Sequence, residues 1–282
     1  MKRLDKSEIV FKIISYVLLT LFALACLYPF VYVLSAAISG KTAMYEGKVT
    51  FLPVDIQFDA LIYVFRMESF WKAYCNTIFF TTYGTIVSMI VGICGGYALS
   101  KTRLMWRRGF NFMLVFTMWF SAGMIPTLLN FQRFNVNNRY MFIICLGFNA
   151  FNIILLRNGF SGVPGEIEEA ATIDGATEFQ ILTKVYIPMS KATIATVAMF
   201  YAISRWNGYL WAQMLLSQSD QPLQVVIRSY MTDQSEFEGN FNFATESVQY
   251  AMIVCSIIPI LVIYPMIQKY FAAGVNVGGV KE

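Results

Sequence analysis

The polar residues with the most distinctive spacing in this chain lie in the stretch EEAATIDGATEFQILTKVYIP, residues 168–188. Pro164 precedes this stretch and suits the first turn of a helix, where its missing N–H would be unpaired in any case. Glu166, Glu168 and Glu169 follow, and negative charge near the start of a helix is stabilised by the helix dipole. The pattern predicts a short, acid-bearing helix.

Two interpretations of this helix are open on physical grounds. Ala170 and Ala171 give it a compact surface, which suits insertion into a groove on another protein. The alternative is a helical hairpin that lies on the membrane surface, although such helices usually carry Lys and Arg to contact anionic lipid. The chemistry expected here is binding, either to a partner protein or to a membrane surface.

A second short helix should follow the first. Asp174 and Gly175 can end the first helix, because glycine readily takes the positive φ of a helix C-cap. Thr177 and Gln180 have the spacing of a capping box, which predicts the start of the second helix. Pro188 marks the end of this helix or a kink into the next segment. Apolar residues recur on the second helix at helical spacing: Phe179, Leu182 and Tyr186.

Metal and ion-coupling chemistry is poorly represented in the chain. It contains no histidine, and its five cysteines lie in or at the edge of apolar runs without a CxxC pair. A zinc or haem site is therefore not expected. Every Asp and Glu lies outside the six apolar runs given below. Proton- and sodium-coupled transporters commonly use intramembrane carboxylates or histidines, so uphill transport by this chain would take its energy from elsewhere.

A nucleotide site of the chain's own is not expected either. Gly40-Lys41-Thr42 resembles the end of a phosphate loop, but Ser35 stands where the leading glycine is required. The net charge of +4 is small, and in a membrane protein it reflects which loops carry Lys and Arg. It gives no indication of nucleic acid binding.

The elements that position these residues are transmembrane helices. The 282 residues are 57% hydrophobic and 13% charged, against about one quarter charged in soluble domains, and the mean hydropathy is +0.56. A helical span needs about 20 apolar residues. The sequence predicts an all-α integral membrane protein that forms one domain, residues 1–282, with six transmembrane helices at roughly 13–38, 74–99, 109–130, 140–157, 192–216 and 248–271.

The distribution of basic residues predicts the orientation. With the N-terminus in the cytoplasm, thirteen Lys and Arg residues lie in or beside the inside segments and seven in the outside segments. The cluster SKTRLMWRRG between the second and third runs is the strongest part of this bias. Both termini should therefore be cytoplasmic, and the polar residues 160–190 should face the cytoplasm.

Candidates for a substrate path lie in the fourth and fifth runs. Aromatic and amide side chains can bind a polar ligand that also offers apolar faces. Arg205 is the one charge deep in a run, so it should face the bundle interior or a wet cavity. For the aromatic and amide residues, helix packing or interfacial anchoring is an open alternative. The candidates are Asn149, Asn152, Arg205, Trp206, Asn207, Tyr209 and Trp211.

Residues 168–188 resemble the EAA loop of permease subunits of ATP-binding-cassette importers. The family pattern is E-A-A, three residues, G, nine residues and I-x-L-P; this chain has EAA at 169–171, Gly175 and VYIP at 185–188. The spacing is kept throughout, with conservative departures at Val185 and Ile187. The form EEAATIDGA is similar to that of carbohydrate-uptake permeases of the maltose-importer type. We call residues 160–190 the EAA loop.

Further stretches extend the resemblance over most of the chain from about residue 84 onward. FYAISRWNGYLWAQMLL is similar to the fifth-span region of oligosaccharide permeases. Three more stretches resemble the subset of these permeases often called LplC/YtcP-like: GMIPTLLNF, PLQVVIRSYM and YPMIQKYFAAGVNVGGVKE. The resemblance leaves the sugar itself open, and the partner permease can hold most of the sugar contacts in related importers.

The resemblance implies a fold and a mechanism. The fold is that of type I ABC importer permeases, with a cytoplasmic coupling helix that sits in a cleft of an ATPase subunit. Closure of two ATPases on ATP would move the loop, and the loop would move the spans in alternating access. The implied ATPase-coupling residues are Glu168, Glu169, Ala170, Ala171, Asp174, Gly175 and Pro188.

The resemblance also implies partners and a location. The chain would be a transporter subunit and not an enzyme, in the bacterial plasma (inner) membrane. It would work with a second homologous permease, two ATPases that bind ATP and Mg, and an extracellular or periplasmic sugar-binding protein. The C-terminal residues 274–282 would reach toward the ATPase, or would form a disordered end. Two other classes stay open at this point: a gradient-driven facilitator and a structural membrane subunit.

Overall fold

The computed structural model describes residues 6–232 and 242–275, and these residues form helices and connecting segments without a strand. Residues 276–282, which include most of the predicted C-terminal contact, lie outside the described residues. The α-helices are α1 (Lys6–Ala37), α2 (Lys41–Tyr45), α3 (Asp59–Arg66), α4 (Glu68–Ser100), α5 (Arg107–Trp119), α6 (Met124–Arg133), α7 (Arg139–Cys145), α8 (Ala150–Ser161), α9 (Gly165–Ile173), α10 (Glu178–Ile181), α11 (Ile187–Met189), α12 (Lys191–Trp206), α13 (Leu210–Leu215), α14 (Leu223–Thr232) and α15 (Thr245–Val275).

Up to six of these segments can cross a membrane, by length and composition. Three are single helices, at Ser7–Ala37, Glu68–Ser100 and Thr245–Pro265. The other three are bent pairs: α5 with α6 at 117°, α7 with α8 at 56°, and the segment Glu178–Met189 with α12 at 86°. The number agrees with the six predicted runs, but the helix boundaries within three of them differ.

Three predicted runs are interrupted, and one of them, 140–157, breaks between α7 and α8. The run 109–130 breaks between α5 and α6, where Gly123 has a φ of +89° that few other residues adopt. Pro126 lies in the first turn of α6, a position that proline tolerates. The run 192–216 is likewise not one helix, because α12 ends at Trp206 and is followed by Asn207 and Gly208.

The chain forms two compact units, and the first comprises residues 1–71 and 227–258. Within it, the Ser35 hydroxyl donates a hydrogen bond to the carbonyl of Phe51 at 2.9 Å. The rings of Tyr32 and Tyr250 meet edge to face, with centroids 5.6 Å apart. Most apolar side chains of α1 are exposed in the single chain, which is expected of a helix whose surroundings are lipid or another subunit.

The second unit comprises residues 72–226 and 259–282, and the packing of α4 on α8 is central to it. A Cβ atom at Gly96 would lie 2.8 Å from the Cβ of Leu156, and one at Gly92 would lie 2.9 Å from its Cδ1. The GxxxG pair therefore allows α4 to approach α8 within the same chain. The core around this contact contains Tyr97, Leu156, Phe160, Ile181, Leu182, Tyr186, Val197 and Tyr201.

The end of α4 near Thr77 carries a second set of contacts. The Asn76 side chain donates hydrogen bonds to the carbonyls of Ser219 and Gln221, both at 3.1 Å. The Thr77 hydroxyl accepts a 2.7 Å hydrogen bond from the N–H of Leu223. Near one end, helix α4 thus binds the segment between α13 and α14 and the first residue of α14.

The EAA loop forms the two short helices that the sequence predicts. Helix α9 follows Pro164, and Gly175 has a φ of +79°. The capping box of Thr177 and Gln180 is present in full at the start of α10. A π-helix, Leu182–Tyr186, then leads into α11. Pro188 lies in α11, just before the 86° bend into α12.

Candidate functional site

Helix α9 has one face toward the protein and one face toward solvent. Glu168 is partly buried, and Ala171 packs against the core that contains Tyr186. Glu169 and Ala170 are exposed, because successive residues of a helix point in directions about 100° apart. Ala170 and Glu169 are therefore available to a partner, whereas Ala171 contacts the chain's own core.

Lys101 makes the principal contact to Glu168. Its Nζ lies 2.7 Å from Oε2 of Glu168, and its side chain is only 8% exposed. The same Nζ lies 3.8 Å from the ring centroid of Tyr186 and 4.3 Å from that of Tyr97, within the range of cation–π attraction. The Tyr186 hydroxyl donates a hydrogen bond to Glu168 as well.

The second helix of the loop is attached to the same place. The Tyr97 hydroxyl donates a 2.7 Å hydrogen bond to Glu178. Arg103 pairs with Glu178 and lies 3.6 Å from Oε1 of Glu168. These side chains join the EAA loop to α4 and to the residues that follow it. We call Tyr97, Lys101, Arg103, Glu168, Glu178 and Tyr186 the Lys101 cluster.

The electrostatics of the cluster favour an ionised Glu168. Burial by itself would raise the pKa of this carboxyl. Hydrogen bonds from Lys101 and Tyr186 and the charges of Lys101 and Arg103 outweigh that effect, so the pKa lies below its ordinary value of 4.5. Glu168 is therefore a carboxylate at neutral pH, bound to the chain's own cation.

The exposed face of the loop is partly apolar. Ile173, one turn after Glu169, is 87% exposed, and Phe179 is 72% exposed. The sequence pattern placed Phe179 with Leu182 and Tyr186, but only the latter two are buried. The π-helix that begins at Leu182 disrupts the regular helical spacing. Ile173 stands four residues after Glu169, so helical spacing could have predicted that both lie on the exposed face of α9.

Asp174, Gly175 and Pro188 shape the loop and do not contribute to the Lys101 cluster. Asp174 is the C-cap of α9 and is exposed. Gly175 follows with its positive φ, and a Cβ there would meet nothing within 4 Å. Asp174 and Gly175 set the path of the chain between α9 and α10. Pro188 lies later, in α11 before the bend into α12.

A cavity of about 670 Å³ forms the second feature of this unit. It brings together six of the seven predicted substrate-path residues: Asn149, Asn152, Arg205, Asn207, Tyr209 and Trp211. Phe148, Phe151 and Phe200, which the sequence analysis did not identify, also line it. Its volume lies within the usual range for small-molecule sites, and apolar walls with a few polar groups are typical of them.

Trp206 is the predicted residue that does not line the cavity. Its side chain is buried, and its ring meets that of Tyr74 edge to face with centroids 6.0 Å apart. For Trp206, helix packing is therefore the correct one of the two interpretations that the sequence left open. Neighbouring positions on α12 point to different sides, so composition alone does not separate it from Arg205.

Arg205 lies in the cavity wall, where the sequence analysis expects it. Its guanidinium donates to the carbonyl of Leu146 and, at 3.2 Å, to the hydroxyl of Ser88. Gly84 leaves room for the side chain, since a Cβ there would lie 3.1 Å from Nε. Leu146 is at the end of α7, so Arg205 satisfies a carbonyl freed by the break in the fourth run.

Asn149 stabilises the other side of that break. Its side-chain oxygen accepts a 3.0 Å hydrogen bond from the N–H of Asn152, which caps α8. The amides therefore have a structural role in addition to lining the cavity. In the part of the chain that the structure describes, no group of three or more Cys, Asp or Glu residues could hold a metal ion.

Comparison with solved structures identifies the fold. A chain in the crystal structure of a bacterial ABC transporter involved in the import of the acidic polysaccharide alginate is 46% identical, with a TM-score of 0.89. The match covers 96% of this chain and 100% of that one. A chain in the structure of a bacterial alginate ABC transporter with a pentasaccharide-bound periplasmic protein has a TM-score of 0.64 at 15% identity, a likeness of fold. The fold is that of ABC importer permeases.

Sequence comparison gives the same result. The polygalacturonan/rhamnogalacturonan transport system permease protein YtcP of Bacillus subtilis strain 168 is 35% identical over 280 residues, 96% of this chain and 98% of that protein. Protein LplC of the same organism is 33% identical over 261 residues, 90% of this chain and 88% of that protein. Residues 1–277 match the family described as binding-protein-dependent transport system inner membrane component. The chain therefore belongs to this family of inner-membrane transport components and is a permease subunit, not an enzyme.

Proposed function

We propose that this permease carries acidic oligosaccharides in an ATP-driven importer and forms half of the translocation path. Its partners are a second, homologous permease, two ATPases that bind ATP and Mg, and an external glycan-binding protein. Both termini and the EAA loop lie in the cytoplasm. ATP-driven closure of the ATPases moves the loop, and the loop moves the spans, so that the cavity opens to alternate sides.

The two-faced EAA loop is the observation that carries the proposal. One face of α9 is bound to the chain's own α4 through the Lys101 cluster, and the opposite face exposes Glu169, Ala170 and Ile173. Phe179 of α10 is exposed as well. An acid surrounded by small and apolar residues suits a cleft on a protein better than an anionic lipid surface. Glu169 is the polar contact, and Ile173 and Phe179 supply apolar area.

A charge reversal tests the docking surface. Glu169→Lys should abolish co-purification of the ATPase, or its stimulation by the loaded binding protein, because the charge is reversed within a tight seat. Glu8→Lys is the matched control, since Glu8 is an exposed acid of α1 and lies outside the EAA loop. Wild-type uptake by Glu169→Lys would contradict docking through this face.

The substrate class rests on the cavity and on the relatives. Arg205 gives the cavity a cation, and among the residues that the structure describes no acidic side chain lines it. Aromatic rings can stack on sugar faces, and amides can bind hydroxyl groups. The relatives at 46% and 35% identity are named for alginate and for polygalacturonan/rhamnogalacturonan, polymers that contain uronic acids. A carboxylated oligosaccharide is therefore the cargo that fits best.

Binding and uptake measurements test the substrate class directly. The cognate external protein should bind oligogalacturonates or alginate oligosaccharides in a glycan panel and reject neutral oligosaccharides of equal length. Vesicles with the complete importer should then accumulate the same acidic oligosaccharides when ATP is supplied. Preferential uptake of a neutral oligosaccharide would overturn the assignment of an acidic cargo and leave the transport function in place.

A further inference from the structure

We propose that Lys101 is a positioning residue that holds the EAA loop on the end of α4, so that a displacement of the loop moves α4 as one body. The inference rests on the proposed function, because the ATPase is taken to displace the loop. The residues involved are those of the Lys101 cluster, and each of their contacts lies within the second unit. All the contacts that hold the loop on α4 are made by residues of this chain.

Apolar packing does not account for the attachment of α9. This helix contributes no buried residue, and Ala171 is its partly buried apolar contact with the core. Glu168 is instead bound by Lys101, Tyr186 and Arg103. The position of α9 relative to α4 therefore depends on charged and hydroxyl groups.

The surroundings of Lys101 are unusual for a lysine. Its residue exposure is 7%, and burial of an ammonium is costly unless the charge is paired and hydrogen-bonded. An apolar residue of similar length would fill the space between Tyr97 and Tyr186 at lower cost. An ion pair with Glu168 is what the lysine supplies and an apolar residue does not.

The cluster also includes both helices of the loop. Arg103 contacts Glu178 and Glu168, and Tyr97 binds Glu178. Helices α9 and α10 are thus held by α4 and the residues directly after it, which favours movement as a rigid body over movement of α9 alone. Coupling between two sites requires a connected element of this kind whose position both sites affect.

The principal variant is Lys101→Met, which keeps a long apolar side chain and removes the charge. The complete importer in lipid discs should retain its bound ATPase. Stimulation of ATP hydrolysis by the glycan-loaded binding protein, relative to basal hydrolysis, should fall by roughly tenfold, a typical size for coupling between sites. Arg108→Met is the matched control, because Arg108 is exposed on the same segment, and its stimulation ratio should equal that of the wild type.

A double variant separates positioning from simple charge balance. Lys101→Met with Glu168→Gln removes both charges, so no partly buried carboxylate is left without its lysine. If the bond transmits movement, the double variant should keep its fold and remain poorly stimulated. Full recovery of stimulation in the double variant would overturn the proposal and assign Lys101 a role in charge balance only.

A milder change covers the case in which Lys101→Met does not fold. Tyr186→Phe removes the hydroxyl that binds Glu168 and keeps the ring beside Lys101, so the stimulation ratio should fall partially with the ATPase still bound. The positioning role is overturned if Tyr186→Phe keeps the wild-type stimulation ratio and either Lys101→Met or Glu168→Gln does so too. In that case the wild-type importer would still show ATP-driven uptake, so the proposed function would stand. Absence of ATPase binding by the wild-type chain would instead contradict the proposed function.

Discussion

At the residue scale, the two adjacent acids of the EAA loop have different surroundings. Glu168 is bound to Lys101 at 2.7 Å inside the chain, whereas Glu169 is exposed. The family pattern E-A-A begins at the second acid, the exposed Glu169. The first acid belongs to the attachment of the loop, so substitutions at the two positions should have separable effects on coupling and on docking.

The ionisation of Glu168 predicts a specific pH dependence. Since its pKa is lowered in the folded protein, its contribution to the free energy of unfolding is fully present above its ordinary pKa of 4.5 and is lost as pH falls through the lower folded value. The stability difference between the wild type and Glu168→Gln should therefore be constant from about pH 5 to pH 8 and shrink below that. Thermal unfolding in detergent measures it, and a change between pH 6 and pH 8 would contradict the assignment.

Gly175 predicts a substitution effect that depends on backbone conformation alone. Its φ is +79°, and a Cβ would meet nothing within 4 Å, so crowding does not contribute. Left-handed backbone costs about 1–2 kcal/mol for an ordinary residue, more for a β-branched one and less for asparagine. Gly175→Val should thus reduce uptake and ATPase binding, and Gly175→Asn should stay near wild type. Equal loss in both variants would indicate that the side chain, not φ, is at fault.

Local signals predicted the loop well, and distant contacts could not be predicted. The positive φ of Gly175 and the capping box of Thr177 and Gln180 depend on neighbours within a few residues. The ion pair between Lys101 and Glu168 joins positions 67 residues apart, and the sequence around either residue does not indicate that the other is its partner. Sequence reasoning placed Lys101 only within a basic cluster of a loop.

At the element scale, the packing of α4 on α8 predicts contrasting effects of two neighbouring glycines. A Cβ at Gly96 would lie 2.8 Å from Leu156 Cβ and 3.0 Å from the Arg157 nitrogen, so the helices would have to separate. Such overpacking costs roughly 1–3 kcal/mol. Gly96→Ala should therefore lower the unfolding temperature of the purified chain.

The control for this prediction is the adjacent Gly95. Its Cβ would lie 3.6 Å from Ile153, an ordinary contact distance, and alanine has the better helix propensity. Gly95→Ala should leave the unfolding temperature unchanged or raise it slightly. A similar decrease in both variants would show that glycine is needed for a reason other than the approach of α8.

The breaks within the spans were only partly predictable. Gly123 and Pro126 are helix-ending residues within the run 109–130, but a prediction from hydropathy alone continues the helix across them. The break after α7 depends on Arg205, whose guanidinium binds the carbonyl of Leu146 from a distant helix. Tertiary contacts of that kind make an interrupted span stable, and they have no local signature.

At the scale of the whole molecule, α4 connects two sets of contacts within the second unit. Thr77 binds Leu223, the first residue of α14, near one end of α4, and Tyr97 binds the EAA loop near the other. The two residues are about 30 Å apart along a helix, similar to the thickness of a bilayer core. One continuous helix therefore connects the EAA loop to the contacts of Thr77.

The orientation of the molecule gives the last prediction. If the chain crosses the membrane six times as predicted, thirteen Lys and Arg lie on the same side as the EAA loop and seven on the other, and such residues are enriched in cytoplasmic loops. In a cysteine-free background, Met105→Cys and Leu52→Cys introduce thiols at residues that are 77% and 74% exposed. A membrane-impermeant maleimide should label position 52 in intact cells and position 105 only after the membrane is opened. The reverse pattern would place the EAA loop outside, where no ATPase could dock on Glu169, and would contradict the proposed ATP-driven mechanism.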